Sequence, residues 1–226
     1  MNNNTGISGY YLWRGNSFIT NTSFKVRKRI YDLFFQLFGD VSSILDVGVT
    51  SETVSPEANV LETLFPYKNR ITAAGIEDME NLKERYPGIR FVKIEEGRPL
   101  PFGDNSFGAA YSHAVIEHIT EPNARRRFVS ELVRVAKCAF ISTPNKYFIL
   151  EPHTLVPFLH FLWPKLFYFL LDGKIVSKFY NSANLKLMSR RDLECLAAGL
   201  SGVEAEVKEV RLFGMVSNLI LIIRKK

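Results

Sequence analysis

Four short apolar runs in this 226-residue chain end in residues able to bind or react. Asp46 and Gly48 close the run that holds Ile44, Leu45 and Val47; Glu77 follows 71–76; Glu96 and Gly97 follow 89–94. Ser112 and His113 end the run that starts at Phe107, and Glu117-His118 stand one turn further on. Gly48 has no Cβ and takes positive φ at no steric cost, so a ligand can approach the backbone there. An acid in the position of Glu77, after a second strand, can accept hydrogen bonds from both hydroxyls of a ribose. A carboxylate after the third strand, Glu96, can accept from the amino group of adenine. Histidine titrates near neutrality, so His113, His118 and His153 can each take a proton from a hydroxyl.

Such residues act together only if a scaffold brings the strand ends to one edge. The runs 43–48, 71–76, 89–94, 107–112 and 138–142 alternate with helical stripes. One stripe over 24–38 carries Val26, Ile30, Leu33, Phe34, Leu37 and Phe38; a second over 56–67 carries Val60, Leu61, Leu64 and Phe65. Met79, Leu82 and Tyr86 make a third, and Phe128, Val129, Leu132, Val133 and Ala136 a fourth. The alternation predicts an α/β chain: a Rossmann-like, doubly wound, mostly parallel seven-stranded sheet with helices on both faces. The runs 203–210 and 216–223 are expected to close it as an edge hairpin, after a helix opened by Ser189 and Asp192 in a near capping box. The stretch 155–171 is apolar except for His160 and Lys165, is short for a membrane span, and is broken by Pro157 and Pro164. It reads as an inserted helical lid. The expected organisation is one domain over 1–226: an arm and helix to 40, a core over 41–150, the lid over 151–187, and a closing helix and strands from 188.

Hydrophobic residues make up 46% of the chain, enough for a core, and the net charge is +6. The 29 basic residues are spread among 23 acidic ones, which argues against a nucleic-acid partner. The basic start of 24–38 and the aromatics of 155–171 are instead candidate surfaces for peripheral membrane contact. Cys138 and Cys195 are too few for a disulfide framework or a metal site, and no metal is expected. The opening Met1-Asn2-Asn3-Asn4-Thr5 lacks the features of a signal peptide, so the expectation is a cytoplasmic protein, at most peripheral to the inner face of the membrane. A nicotinamide dehydrogenase is disfavoured because no G-x-G-x-x-G follows the first strand. Neither an Asn-Pro-Pro-aromatic motif nor a Pro-Cys nucleophile motif is present, which disfavours the methylation of DNA or RNA.

The segment Leu100-Pro101-Phe102-Gly103-Asp104-Asn105-Ser106-Phe107, followed by a strand and by Glu117-His118, resembles the class I S-adenosylmethionine-dependent methyltransferases. It matches the type 11-like branch, whose middle motif reads L-P-F-x-D-x-S-F. The resemblance covers residues 40–145 and implies S-adenosylmethionine as cofactor. It puts Asp46 and Gly48 at the methionine end, Glu77 at the ribose, Glu96 and the backbone of Gly97 at the adenine, and Ser112 and His113 near the sulfonium. It implies methyl transfer. The apolar stretch 155–171 and the basic helix 24–38 point to a small-molecule or lipid/glycan-linked acceptor, oxygen is the expected target, and His118 and His153 are the candidate bases by residue type. Three positions depart from the family pattern. Thr50 replaces the second glycine of D-x-G-x-G, Glu96 stands where Asp is usual, and Gly108 stands where Asp usually follows Phe107. These departures motivate the alternative expectation, a methyltransferase-like scaffold without catalysis. Nothing in the sequence sets the oligomeric state.

Overall fold

All four residues of β1 (Ile44–Val47) are buried. Successive side chains of a strand point to opposite faces, so Ile44 enters one core while Leu45 and Val47 enter another. The computed structural model describes residues 17–53, 58–150, 157–175 and 181–226, with 17–20 as backbone alone. In it β2 (Ile71–Gly75), β3 (Arg90–Lys93), β4 (Phe107–His113) and β5 (Ala136–Pro144) pair in parallel around β1. A hairpin of β6 (Val203–Leu212) and β7 (Met215–Lys225) turns over Phe213 and Gly214, both at positive φ, and β7 pairs antiparallel with β5. The strand order is β3-β2-β1-β4-β5-β7-β6. This is the expected seven-stranded, mostly parallel, doubly wound sheet. Its order reverses between β1 and β4, which opens a crevice at the C-terminal ends of those two strands.

One face carries α1 (Ser17–Phe38), α2 (Val60–Leu64) and α3 (Glu80–Arg85). Ile30, Phe34, Phe38, Leu61 and Leu82 pack there against Ile44, Tyr111 and Phe140. The Phe34 ring meets Tyr111 edge-on at 4.9 Å and Phe140 at 5.4 Å, a geometry that suits the ring quadrupoles. The other face carries α4 (Pro122–Val135) and α7 (Arg190–Ala198), whose Val129, Leu132 and Leu193 pack on Leu45, Ile141 and Leu221. The predicted capping box at Ser189 and Asp192 is present in full.

Two expectations need correction. The apolar stripe of 24–38 is spent on the first core: Val26, Ile30, Phe34 and Phe38 are all buried. Its remaining face is mostly polar, with a Lys28–Asp32 ion pair at 2.8 Å, and among the described residues Phe35 is its one exposed large apolar side chain. The helix expected over 56–67 is only α2, five residues long. Asn59 precedes it at φ 50 and Phe65 leaves it in extended backbone, while 54–57 lie outside the described residues.

Between β5 and α7 the chain forms α5 (Leu159–Leu162) and α6 (Pro164–Asp172), with Phe167 and Leu171 packed on Leu185 and Leu187. Residues 151–156 and 176–180 of the expected lid lie outside the described residues. Among the described residues no helix is long and apolar enough to cross a membrane.

Gly108 has a local explanation. A Cβ there would lie 2.9 Å from Val41 Cβ and 3.2 Å from the Ser43 carbonyl oxygen, and the Gly108 N–H donates to that carbonyl at 3.0 Å. Overpacking of this kind costs about 1–3 kcal/mol. Gly108→Ala is therefore expected to lower the urea midpoint, and adding Val41→Ala to recover part of the loss; equal midpoints for Gly108→Ala and the parent would refute the packing argument.

Candidate functional site

The turn after β1 is set by close contacts on both sides. Gly48 has φ +108, and a Cβ on it would sit 2.1 Å from Val115 Cγ2, just beyond β4. Its N–H donates to the Ala74 carbonyl at 2.9 Å. On β2, Gly75 admits the Val49 carbonyl to a place 2.3 Å from where a Cβ would stand. On β4, the buried Ser112 hydroxyl donates to the Val47 carbonyl at 2.9 Å. Thr50 lies outside the left-handed region, so its position does not require glycine. Asn59 holds the turn across nine residues: its amide donates to the Thr50 carbonyl at 2.9 Å and the Glu52 carbonyl at 3.1 Å.

Glu77 stands half-buried at the exit of β2. Its Oε2 accepts from the Ser51 N–H at 2.8 Å and the Ser51 hydroxyl at 2.6 Å, while Oε1 takes neither bond. Asn81 secures Ser51 from α3 by donating to its carbonyl at 2.7 Å. Glu96 and Gly97 are exposed on the loop after β3, with Gly97 at φ 72. The four strand ends thus place Gly48, Glu77, Glu96 and the β4 exit along one edge, in the spatial order β3-β2-β1-β4.

Beyond β4 the chain takes a strained path, with Ala114 at φ 55 and its N–H on the Ser142 carbonyl. His113 is half-buried, its Nδ1 lies 2.6 Å from Ser142 Oγ, and its ring stacks beside Tyr111. Burial holds this imidazole well below the usual histidine range, and the positive charge of Arg27 acts the same way. His113 is therefore neutral at pH 7. His118 takes a different role: its Nδ1 lies 3.0 Å from the Asn184 carbonyl, which can only accept, so Nδ1 carries a proton and Nε2 is the basic nitrogen of the neutral ring. Its neighbour Glu117 is fully buried, accepts from the Thr143 hydroxyl at 2.9 Å, and offers its carbonyl to the Lys186 N–H at 2.7 Å. His153 lies outside the described residues.

Under the turn lies a feature that sequence reasoning missed. Asp46 on β1 and Glu62 on α2 are both buried and electrostatically coupled. Two carboxyl groups can bond each other only if one is protonated. Burial raises Asp46 well above the usual carboxylate range, and the negative charge of Glu62 adds to this. Burial also raises Glu62, opposed by its hydrogen bond to Asp46 and by the charge of Lys68. The pair therefore retains a proton above the pH at which free carboxylates ionise. Glu62 was not singled out in the sequence; its helix, α2, packs into the same core as Ile44 of β1 through Val60 and Leu61. Ser51, Asn59 and Gly75 were equally silent, since their roles are contacts with segments distant in sequence.

The Leu100–Phe107 block has its own latch, also unread in the sequence. Arg134 of α4 donates to the carbonyls of Leu100 at 3.0 Å and Phe102 at 2.8 Å, and to the carboxylates of Asp104 at 2.9 Å and Glu131 at 2.8 Å.

Residues 45–138 match a family described as a methyltransferase domain. The sequence has no match among the curated proteins compared. Solved structures share the fold. A SAM-dependent methyltransferase from Thermotoga maritima superposes with a TM-score of 0.61 at 15% identity, covering 97% of this chain and 96% of that one. Magnesium protoporphyrin IX methyltransferase from Synechocystis, with bound SAH, gives 0.60 at 12% identity over 98% and 96%. The 1,6-didemethyltoxoflavin-N1-methyltransferase of Burkholderia thailandensis, with bound 1,6-didemethyltoxoflavin and S-adenosylhomocysteine, gives 0.58 at 13% over 96% and 82%.

The buried pair makes stability depend on pH. Both carboxyl groups are raised in the folded state, so their favourable contribution is complete below the ordinary carboxylate range and is lost as pH rises through the raised values. Glu62→Gln keeps the shape and removes a charge. It is expected to melt about 2–4 °C higher than the parent at pH 8, the shift that ~1 kcal/mol gives a chain of this size. The gap should narrow towards pH 4.5 in thermal melts followed by circular dichroism; a gap independent of pH would contradict the assignment.

Proposed function

From a chain whose residues 45–138 match a methyltransferase domain, set in the fold of the class I S-adenosylmethionine-dependent enzymes, we infer that the protein transfers a methyl group from S-adenosylmethionine to an oxygen of a small-molecule acceptor. The observation that carries this reading is the edge itself. A glycine turn after β1, a half-buried carboxylate with one uncommitted oxygen after β2, and a second carboxylate after β3 stand in the order that an adenosyl group would need.

The residues suit that cofactor by their chemistry. A ribose offers two hydroxyl donors, and Glu77 Oε1 is an acceptor beside the turn. An adenine amino group is a donor, and Glu96 with the Gly97 backbone supplies the acceptor on the next loop. An α-ammonium is a cation, and the buried Asp46–Glu62 pair puts carboxyl oxygens below the turn. Gly48 keeps the backbone open between these groups. The cofactor, when bound, supplies an electrophilic methyl group on sulfur. The protein holds the acceptor in line with it, excludes water and receives the acceptor's proton. We assign proton removal to His118, whose tautomer the Asn184 carbonyl sets, and place Ser112 and the neutral His113 at the back wall of the reaction site.

Two of the three departures from the family pattern have local causes. Thr50 sits in ordinary backbone and Gly108 packs under Val41, so neither favours the scaffold alternative. A hydrophobic or lipid-linked acceptor is supported by the exposed apolar residues of α5 and α6, which follow the C-terminal end of β5.

Titration calorimetry with S-adenosylhomocysteine tests the site. The parent is expected to bind in the micromolar range. Glu77→Ala should weaken binding by about 10–100-fold, the loss of ~1.5–3 kcal/mol for hydrogen bonds to a charged group. Saturable binding unaffected by Glu77→Ala would move the ribose elsewhere, and no binding to the parent would overturn the reading.

A further inference from the structure

Helix α6 is apolar on both of its sides. Phe167 and Leu171 are fully buried on Leu185 and Leu187. On the opposite side Leu166 and Phe169, three residues apart, are 47% and 71% exposed, and Leu162 at the end of α5 and Trp163 at the junction of the two helices add residues 53% and 61% exposed. Phe158 and Ile175 extend the patch at either end, at 46% and 68%. A helix apolar on all sides is normally enclosed, and contiguous exposed apolar surface marks a contact site. The other exposed large apolar residues, such as Phe35, Tyr67 and Phe213, lie apart on α1, before β2 and at the hairpin turn.

The charges around the patch are predominantly basic. Over 157–175 the ionised side chains are Lys165, Asp172 and Lys174, and the Asp172 carboxylate is engaged by the Ser182 N–H at 2.6 Å and hydroxyl at 2.8 Å. Lys186 reaches over Tyr168 of α6, and Lys146 over Tyr147, whose ring meets Phe161 of α5. Four lysines thus rim an apolar face that carries a tryptophan. Two copies of this chain meeting here would bring two basic rims together, which like-charge repulsion opposes, whereas an anionic bilayer complements both the rim and the apolar centre. α6 has nine residues, enough to lie in the interface and too few to span it.

We propose that α5 and α6 dock the protein on an anionic bilayer, with Leu162, Trp163, Leu166 and Phe169 in the acyl boundary and Lys146, Lys165, Lys174 and Lys186 at the phosphates. The segment behind α6 is tied to the reaction edge: Asn184 holds His118, and Lys186 bonds Glu117. The docked helices are thus linked through 181–187 to the reaction edge, to which a lipid-linked hydroxyl would be brought from the bilayer. Docking rests on this surface alone and needs no cofactor, so it stands or falls separately from methyl transfer.

The test is co-sedimentation of the full chain with sucrose-loaded vesicles of phosphatidylcholine alone and of phosphatidylcholine with about one third phosphatidylserine. The parent is expected to pellet with the anionic vesicles and to be released by high salt. Trp163→Ala with Phe169→Ala, and separately Lys165→Glu with Lys174→Glu, should each weaken binding about tenfold or more. All four positions are exposed, so both variants should keep the parent's melting temperature and S-adenosylhomocysteine affinity. Failure of the parent to pellet, equal binding of either variant, or a parent dimer in sedimentation velocity that Phe169→Glu dissociates would overturn the proposal, the last by making the patch an interface between copies.

Discussion

The contact between Gly48 and Val115 is the constraint around which the rest of this structure is arranged. β1 is buried on both faces, so its chain can leave the sheet only at its end, and there the backbone must turn in a space that Val115 already fills. No side chain fits at Gly48, and φ +108 suits none. The neighbouring strands close on the same point. Ser112 ties β4 to the Val47 carbonyl, Ala74 receives the Gly48 N–H, and Gly75 lets Val49 approach β2. The Glu77 carboxylate at the edge is held by atoms that belong to this turn: Ser51 engages it, and Asn59 fastens the loop that carries Ser51.

Burial then governs the electrostatics below and beside the turn. Asp46, Glu62, Tyr111 and His113 all sit where charge is poorly solvated, and each is displaced towards its neutral form, chiefly by burial. A carboxyl pair that retains a proton thus lies on the β1 side of the crevice and a neutral imidazole on its β4 side.

Much of the fold was readable because it follows from local period and burial. Each strand run of β1 to β5 lies where the apolar pattern put it, since buried parallel strands are short and nearly continuous in apolar residues. The capping box at Ser189 was visible because its partners are three residues apart. What could not be read depends on distance through the fold. The stripe of 24–38 suited a bilayer as well as a core, and only the aromatic contacts of Phe34 with Tyr111 and Phe140 decide for the core. Glu62 carries no local sign of burial. His118 was a candidate base from its type alone, while the Asn184 carbonyl that sets its tautomer lies 66 residues away. Arg134 likewise gathers Leu100, Phe102 and Asp104 from a helix roughly 30 residues further along the chain.

The hairpin of β6 and β7 has a kinetic consequence. Its two strands, ten and eleven residues long, are joined by a turn of two residues, so their pairing closes almost no loop. Hairpins of this kind form in microseconds, whereas each parallel pair among β1 to β5 must wait for an intervening crossover to collapse. The hairpin is thus the part of the sheet with the lowest contact order, and β7 offers β5 a ready template before the parallel half exists. The order of pairing that loop length alone favours therefore runs from the antiparallel margin inward, towards the β1–β4 crevice.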